Sequence, residues 1–379
     1  MIKRRLFALS LLLFCGAMYV SASPGLSFSL NSIKTNSDII AGLPIPSGAD
    51  LALEVPLGSS SISITLRAVA AYESRMILRN NTTNAPIAAP SAIDGTNRFY
   101  WTNALAELGL RKYIVRNDEE AGWLFGLVRG KYASNDTTFP TALFADAQDT
   151  QSIAGIVGIA FDSSQWREIN RKTGTYAEFS VEYSPQLASF VSTPTNYGRV
   201  NLTAETFIPL SPESHTLRNP SSIAPYLVLY GVGDWALGSD IPHEVLTTFG
   251  GLIGTKGIGD MVRGGQPWGY ESPAKAYASA ELRIAGPSLF EDFDVYPVGY
   301  LFVDTAGYVG LYGDPFGSDI ADNAGVFAST GAGASFSISN FLWLGGYAGW
   351  RWPIYDPLAS TYYSVPQGFF WGFTFTAHY

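Results

Sequence analysis

Phe369-Phe370-Trp371-Gly372-Phe373-Thr374-Phe375-Thr376-Ala377-His378-Tyr379 closes the sequence, and its reading decides the fold. Phe369, Trp371, Phe373, Phe375, Ala377 and Tyr379 share one face of an extended chain. Phe370, Gly372, Thr374, Thr376 and His378 share the other. That is period two, the period of a β-strand, with one apolar, aromatic face. A half-buried strand of a soluble sandwich also alternates, but it rarely carries its apolar face out to a terminal aromatic. A strand of an outer-membrane barrel does, because its apolar face meets lipid and its aromatics sit at the interface.

Upstream segments repeat the pattern. Ser61–Arg67 reads S-I-S-I-T-L-R, Tyr176–Tyr183 Y-A-E-F-S-V-E-Y, Val200–Phe207 V-N-L-T-A-E-T-F, and Ala276–Ile284 A-Y-A-S-A-E-L-R-I. Each sets a mostly polar face against a mostly apolar one. In a sandwich the apolar face points inward; in a barrel it points outward and the polar face lines the lumen. Alternation alone fits both. The low charged content of 15%, with 39 Gly, 21 Tyr and 9 Trp, favours the barrel. Fifteen such runs can be counted between 24–32 and 367–379, one of them at 243–254. Single-chain bacterial barrels carry an even number of strands, so the expectation is an all-β, transmembrane antiparallel β-barrel of 16 strands, with 14 as the alternative. Residues 23–379 form one domain, with no linker or repeat to divide it.

The N-terminus sets the compartment. Lys3, Arg4 and Arg5 precede an apolar run from Leu6 to Val20, and Val20-Ser21-Ala22 suits a signal-peptidase site. Residues 1–22 therefore read as a signal peptide, and the bacterial outer membrane as the destination. The single cysteine, Cys15, lies in the signal's apolar run, so the exported chain has no disulfide and no thiolate metal site. The formal charge is −9, with no Lys/Arg cluster beyond the first five residues, which excludes nucleic acid as a partner. His215, His243 and His378 fit no catalytic pattern, so no enzyme, cofactor or metal centre is expected.

One segment departs from plain barrel patterning. Gly254–Ser272 reads G-T-K-G-I-G-D-M-V-R-G-G-Q-P-W-G-Y-E-S and contains Val262-Arg263-Gly264. A strand with Glu281-Leu282-Arg283 follows, and the next carries Phe302-Val303-Asp304. In order and spacing these resemble the BamA/TamA superfamily of outer-membrane insertases and two-partner secretion pores, over roughly residues 250–379. The resemblance implies a loop folded back into the lumen, with Arg263 pairing Asp304. Glu281 is a second candidate acid. A guanidinium in a narrow lumen needs such a partner, and a carboxylate can satisfy it with two parallel bonds. It also implies a role in inserting or translocating polypeptides, with outer-membrane lipid around the chain and a client polypeptide or periplasmic protein as partner.

Trp371, Phe373, Phe375 and Tyr379 resemble the C-terminal signal by which such barrels are recognised for assembly. Two positions depart from the family pattern: Gly265 stands where an aromatic is usual, and Ala306 where Gly is usual. A second copy, Val128-Arg129-Gly130, lies in an expected strand. About 25 residues separate Ser23 from the second expected strand, too few for a POTRA module, so the expectation is a barrel-only member. The alternative function is a passive porin, a fatty-acid-transporter-like channel or a structural barrel.

Overall fold

The computed structural model describes residues 26–35, 48–57, 61–76, 98–135, 150–186, 195–210, 222–254, 256–265, 272–290, 294–309, 324–338, 342–352 and 368–378. The expected signal peptide, 1–22, lies outside the described residues. The strands are β1 (Leu26–Thr35), β2 (Gly48–Pro56), β3 (Ile62–Met76), β4 (Arg98–Arg116), β5 (Ala121–Asn135), β6 (Thr150–Asp162), β7 (Gln165–Glu168) and β8 (Arg171–Ser184). They continue as β9 (Asn196–Pro209), β10 (Ala224–Asp240), β11 (Ala274–Ala285), β12 (Val295–Val309), β13 (Ala324–Ile338), β14 (Leu342–Arg351) and β15 (Gly368–His378). Two short helices, α1 (His243–Thr247) and α2 (Ile258–Met261), lie between β10 and β11.

Apart from the four-residue β7, every strand is hydrogen bonded on both flanks. The ladder runs antiparallel from β6 back to β1, across to β15 and down to β8. β1 meets β15 from Ser29 opposite His378 to Thr35 opposite Gly372. β6 meets β8 from Gly155 opposite Tyr183 to Asp162 opposite Tyr176. Fourteen strands share this ladder among the described residues, where sixteen were expected. One expected strand is replaced: residues 243–254 form α1 and a run of turns. Val245 and Phe249 in that run are both fully buried. A short run buried all round, Glu244, Thr247 and Thr248 included, has no period that separates strand from helix.

The two faces of the sheet settle the choice between sandwich and barrel. On β12, Leu301 and Val303 are 58% and 51% exposed, while Phe302 and Asp304 beside them are 2% and 0% exposed. The same inversion recurs elsewhere. Leu108, Val128, Val157 and Leu202 stand outside, and Glu107, Arg129, Glu178 and Arg199 are buried inside. In water this arrangement would forfeit apolar burial, worth about 25 cal/mol per Å², and would desolvate charges for nothing. It is favourable only where the outer solvent is itself apolar.

A substitution on the outer face tests this directly. Leu301→Arg should destabilise the folded chain in lipid vesicles by about 2–4 kcal/mol, as expected near a bilayer midplane. Urea unfolding in vesicles measures it. A loss within about 0.5 kcal/mol, as for an exposed residue in water, would contradict a lipid-facing wall.

Candidate functional site: a segment held inside the ring by buried charges

The described part of the connection from β10 to β11, residues 241–254 and 256–265, lies inside the ring of strands. Its apolar side chains Phe249, Ile258 and Val262 are at most 1% exposed. They pack on Val232, Tyr277, Ala306, Tyr308 and Phe327 of the wall. Val245 of α1 packs on Tyr197 and Ala236. Apolar packing thus gives the segment its place, while charges fix it in register.

The first grip holds α1 and the turn after it. Arg199 on β9 pairs with Asp234 on β10, Nε to Oδ1 at 2.9 Å, both side chains wholly buried. The same guanidinium donates from Nη2 to the Thr248 carbonyl, and Lys275 donates to the carbonyls of Val245 and Ser272, each at 3.0 Å. Asp234 in turn accepts the Gly250 N–H at 2.5 Å. Thus the wall's charges neutralise one another and also satisfy backbone groups of the segment. Buried polar groups left unmatched would each cost about 1–3 kcal/mol.

A second grip comes from β3, β5 and β8. Arg129 on β5 donates to Glu107 at 2.6 Å and to the Gly251 carbonyl at 2.6 Å. Glu178 on β8 accepts the Leu252 N–H at 2.8 Å, and Arg67, paired with Asp50, donates to the Leu252 carbonyl. Gly251 is needed where these charges converge. Its φ is +66°, and a Cβ there would stand 2.5 Å from both Asn201 Oδ1 and Glu178 Oε1.

The third grip points the other way, from segment to wall. Arg263 follows α2, and its own N–H donates to Asp304 Oδ2 at 3.0 Å. Its side chain forks onto the same carboxylate, Nε to Oδ2 at 2.9 Å and Nη2 to Oδ1 at 3.0 Å. Nη2 also donates to Glu281. Two acids flank one guanidinium, and Glu281 divides its charge with Arg283, 2.5 Å away. Ser279 donates to Asp304 Oδ1 at 2.7 Å and Tyr277 at 3.2 Å, so the fully buried carboxylate has four donor groups around it. Arg263 Cζ lies 3.9 Å from the Phe302 ring centroid, a cation–π contact. Phe302 is held edge-on by Tyr347 at 6.3 Å and lies 6.4 Å from Phe370. Gly264 has φ +76°, and a Cβ would come within 2.5 Å of Phe370.

The structure therefore brings Val262, Arg263, Gly264, Glu281, Phe302 and Asp304 into one cluster. The C-terminal residues lie elsewhere. Phe373 faces outward and Trp371 is on the same face of β15, their rings 5.5 Å apart. Nothing is described of the Phe375 side chain, and Tyr379 lies outside the described residues. Sequence reading missed Arg129, Arg199, Asp234, Lys275 and Glu178. The available signal was position: each is a charge on the inward phase of an alternating strand, and Arg129 is the arginine of the second Val-Arg-Gly.

No protein-family model matches the chain, and a search of curated proteins finds no match. Solved structures do match. CdiB from Escherichia coli superposes with TM-score 0.55 at 12% identity, covering 95% of this chain and 64% of that one. CdiB from Acinetobacter baumannii gives 0.52 at 10% identity, over 94% of this chain and 60% of that one. BamA from Haemophilus ducreyi lacking POTRA domains 1–3 gives 0.51 at 15% identity, over 93% and 70%. The chain spans under two thirds of the two CdiB proteins. The fold is that of the outer-membrane barrels BamA and CdiB.

Non-additivity is the signature of the third grip. Arg263→Ala and Asp304→Ala should each cost on the order of 3–5 kcal/mol, since each leaves a buried charge without its main partner. The double variant should be little worse than either, so the coupling in a double-mutant cycle should approach the cost of one single variant, about 3 kcal/mol or more. Additive losses in heat-modified migration and urea unfolding would show that the two residues act separately.

Proposed function

We propose that this chain is a member of the BamA/TamA superfamily, a closed barrel in the bacterial outer membrane that inserts polypeptides into that membrane or translocates them across it. The observation that carries the reading is the β10–β11 segment, folded inside the ring and pinned to the wall by Arg263 on Asp304 and Glu281. A diffusion channel gains nothing from filling its own lumen with a charge-locked segment, whereas a machine that must stay sealed until a client arrives does. The likeness of fold to BamA and CdiB supports the same reading.

In this reading residues 1–22 are removed on export and 23–379 form the barrel. Trp371, Phe373, Phe375 and Tyr379 serve as the assembly signal. The protein is not an enzyme; its partners are lipid and a client polypeptide or a periplasmic protein. Bacterial barrels place short turns in the periplasm and long loops outside. The β4–β5 turn at 117–120 therefore faces the periplasm. Arg263 is the lock: its release frees the segment to move. The wall parts at the β1–β15 seam, which pairs over seven residues against fifteen between β12 and β13.

Planar-bilayer recording tests the proposal. The native protein should show small, flickering openings, and Arg263→Ala should show larger and longer ones. Steady large openings in the native protein would overturn the proposal and favour a passive channel.

A further inference from the structure

The turn between β6 and β8 is not an ordinary rim turn. It extends into the hairpin of β7 and the start of β8, and its tip is buried: Glu168, Asn170 and Arg171 are at most 2% exposed. Loop tips normally lie in solvent. Here the tip meets other walls. Asn170 donates from Nδ2 to the carbonyls of Gly286 at 2.8 Å and Pro297 at 3.0 Å, where β11 passes to β12. Tyr226 on β10 donates to the Asn170 carbonyl at 3.3 Å. Gln165 donates to the Asp118 carbonyl in the β4–β5 turn at 2.7 Å. Trp166 stacks on Trp343 of β14 with ring centroids 5.9 Å apart.

β14 stands seven strands from β6 in the ladder, half-way round the ring. Fourteen strands about 4.8 Å apart, tilted by about 40°, make a ring roughly 28 Å across. A contact from β7 to β14 therefore crosses the mouth rather than following the rim. The base of the hairpin is a built elbow. Gly174 has φ +96°, and a Cβ there would stand 2.1 Å from the Ser163 carbonyl oxygen. Ser163 and Thr175 close the bend with paired bonds, Ser163 N–H to the Thr175 carbonyl at 2.8 Å and Thr175 N–H to Ser163 Oγ at 3.1 Å. The β-ladder breaks at this point, so β7 belongs to a small sheet of its own.

We propose that residues 162–174 form a hinged lid over the mouth on the side of the short connections, a second closure at the opposite end from the one where the β10–β11 segment enters. It turns about Ser163 and Gly174, and its latches are Asn170 on Gly286 and Pro297 and Trp166 on Trp343. Anything that passes into the lumen from that side must displace it. This holds for a polypeptide or a small solute alike, so its failure and the failure of the function proposed above are separate results.

Thiol labelling from that side tests the lid. Ser337 is fully buried and lies directly across from Trp343 in the β13–β14 ladder, beneath the hairpin. In a Cys15→Ser background, Ser337→Cys should react slowly with a membrane-impermeant maleimide. Adding Trp166→Ala and Asn170→Ala should raise that rate by about tenfold or more, given what a lost hydrogen bond to a buried acceptor is worth. Heat-modified migration verifies that the barrel is folded. Equal rates in the folded variant would overturn the lid. The native chain supplies a second reading by hydrogen exchange. Amides of residues 166–173 should exchange as one unit, about tenfold faster than those of residues 178–182 in β8. Exchange at the rate of the wall would equally overturn it.

Discussion

A charge that points into a ring of strands has to find its counter-charge inside that ring. This constraint organises the whole molecule. Lipid outside demands apolar residues on one phase of every strand, so polar and charged residues collect on the other. Arg129, Arg199, Lys275, Glu107, Glu178, Asp234 and Asp304 all face inward and are nearly or fully buried. Removing any one from water costs several kcal/mol unless a partner repays it. Pairing within the wall repays part of that cost. The rest is repaid by backbone groups of the β10–β11 segment, which accept from the arginines and donate to the acids. The segment is therefore part of the solution to the wall's electrostatics, and the wall fixes the segment's register.

The pinning is reciprocal, and that gives it direction. Two grips reach from wall to segment, through Arg199, Lys275 and Asp234 and through Arg129, Arg67 and Glu178, and both act on backbone groups. The third reaches from segment to wall, Arg263 to Asp304 and Glu281. A backbone carbonyl is a weak acceptor with little net charge, whereas a carboxylate pair is a strong one. At the Arg263 end a guanidinium of the segment meets carboxylates of the wall, and Phe302 beneath it is braced by Tyr347 and Phe370. Glycines mark where the two surfaces approach most closely: Gly251 at the Glu178 carboxylate and Gly264 at the Phe370 ring leave no room for a Cβ.

Much of this was legible beforehand. Period-two alternation located thirteen further strands as well as β15. The pairing of the loop Arg with a strand acid in the third grip came from the resemblance of Val262-Arg263-Gly264 and Phe302-Val303-Asp304 to the BamA/TamA superfamily, which implies it. Other parts were not legible. Residues 243–254 read as a strand because the run is short and β-compatible, and the surroundings that bury Glu244, Thr247 and Thr248 along with Val245 and Phe249 exist only once the ring has formed around it. Arg129 looked like a chance repeat of a three-residue motif, since nothing local distinguishes a strand charge that meets a neighbour's acid from one that meets water. β7 is too short to have a period at all.

The sequence by itself determined the strand phase, the apolar outer face and the presence of charges on the inner one, because alternation is a property of neighbours along the chain. Only the tertiary structure decided which inward charges meet, that a non-strand segment sits among them, and that a hairpin of β6–β8 reaches as far as Trp343. Those contacts join residues far apart along the chain, 41 positions for Arg263 and Asp304 and 177 for Trp166 and Trp343. They depend on the number of strands in the ring and on the register of each pair, and no local pattern encodes either quantity.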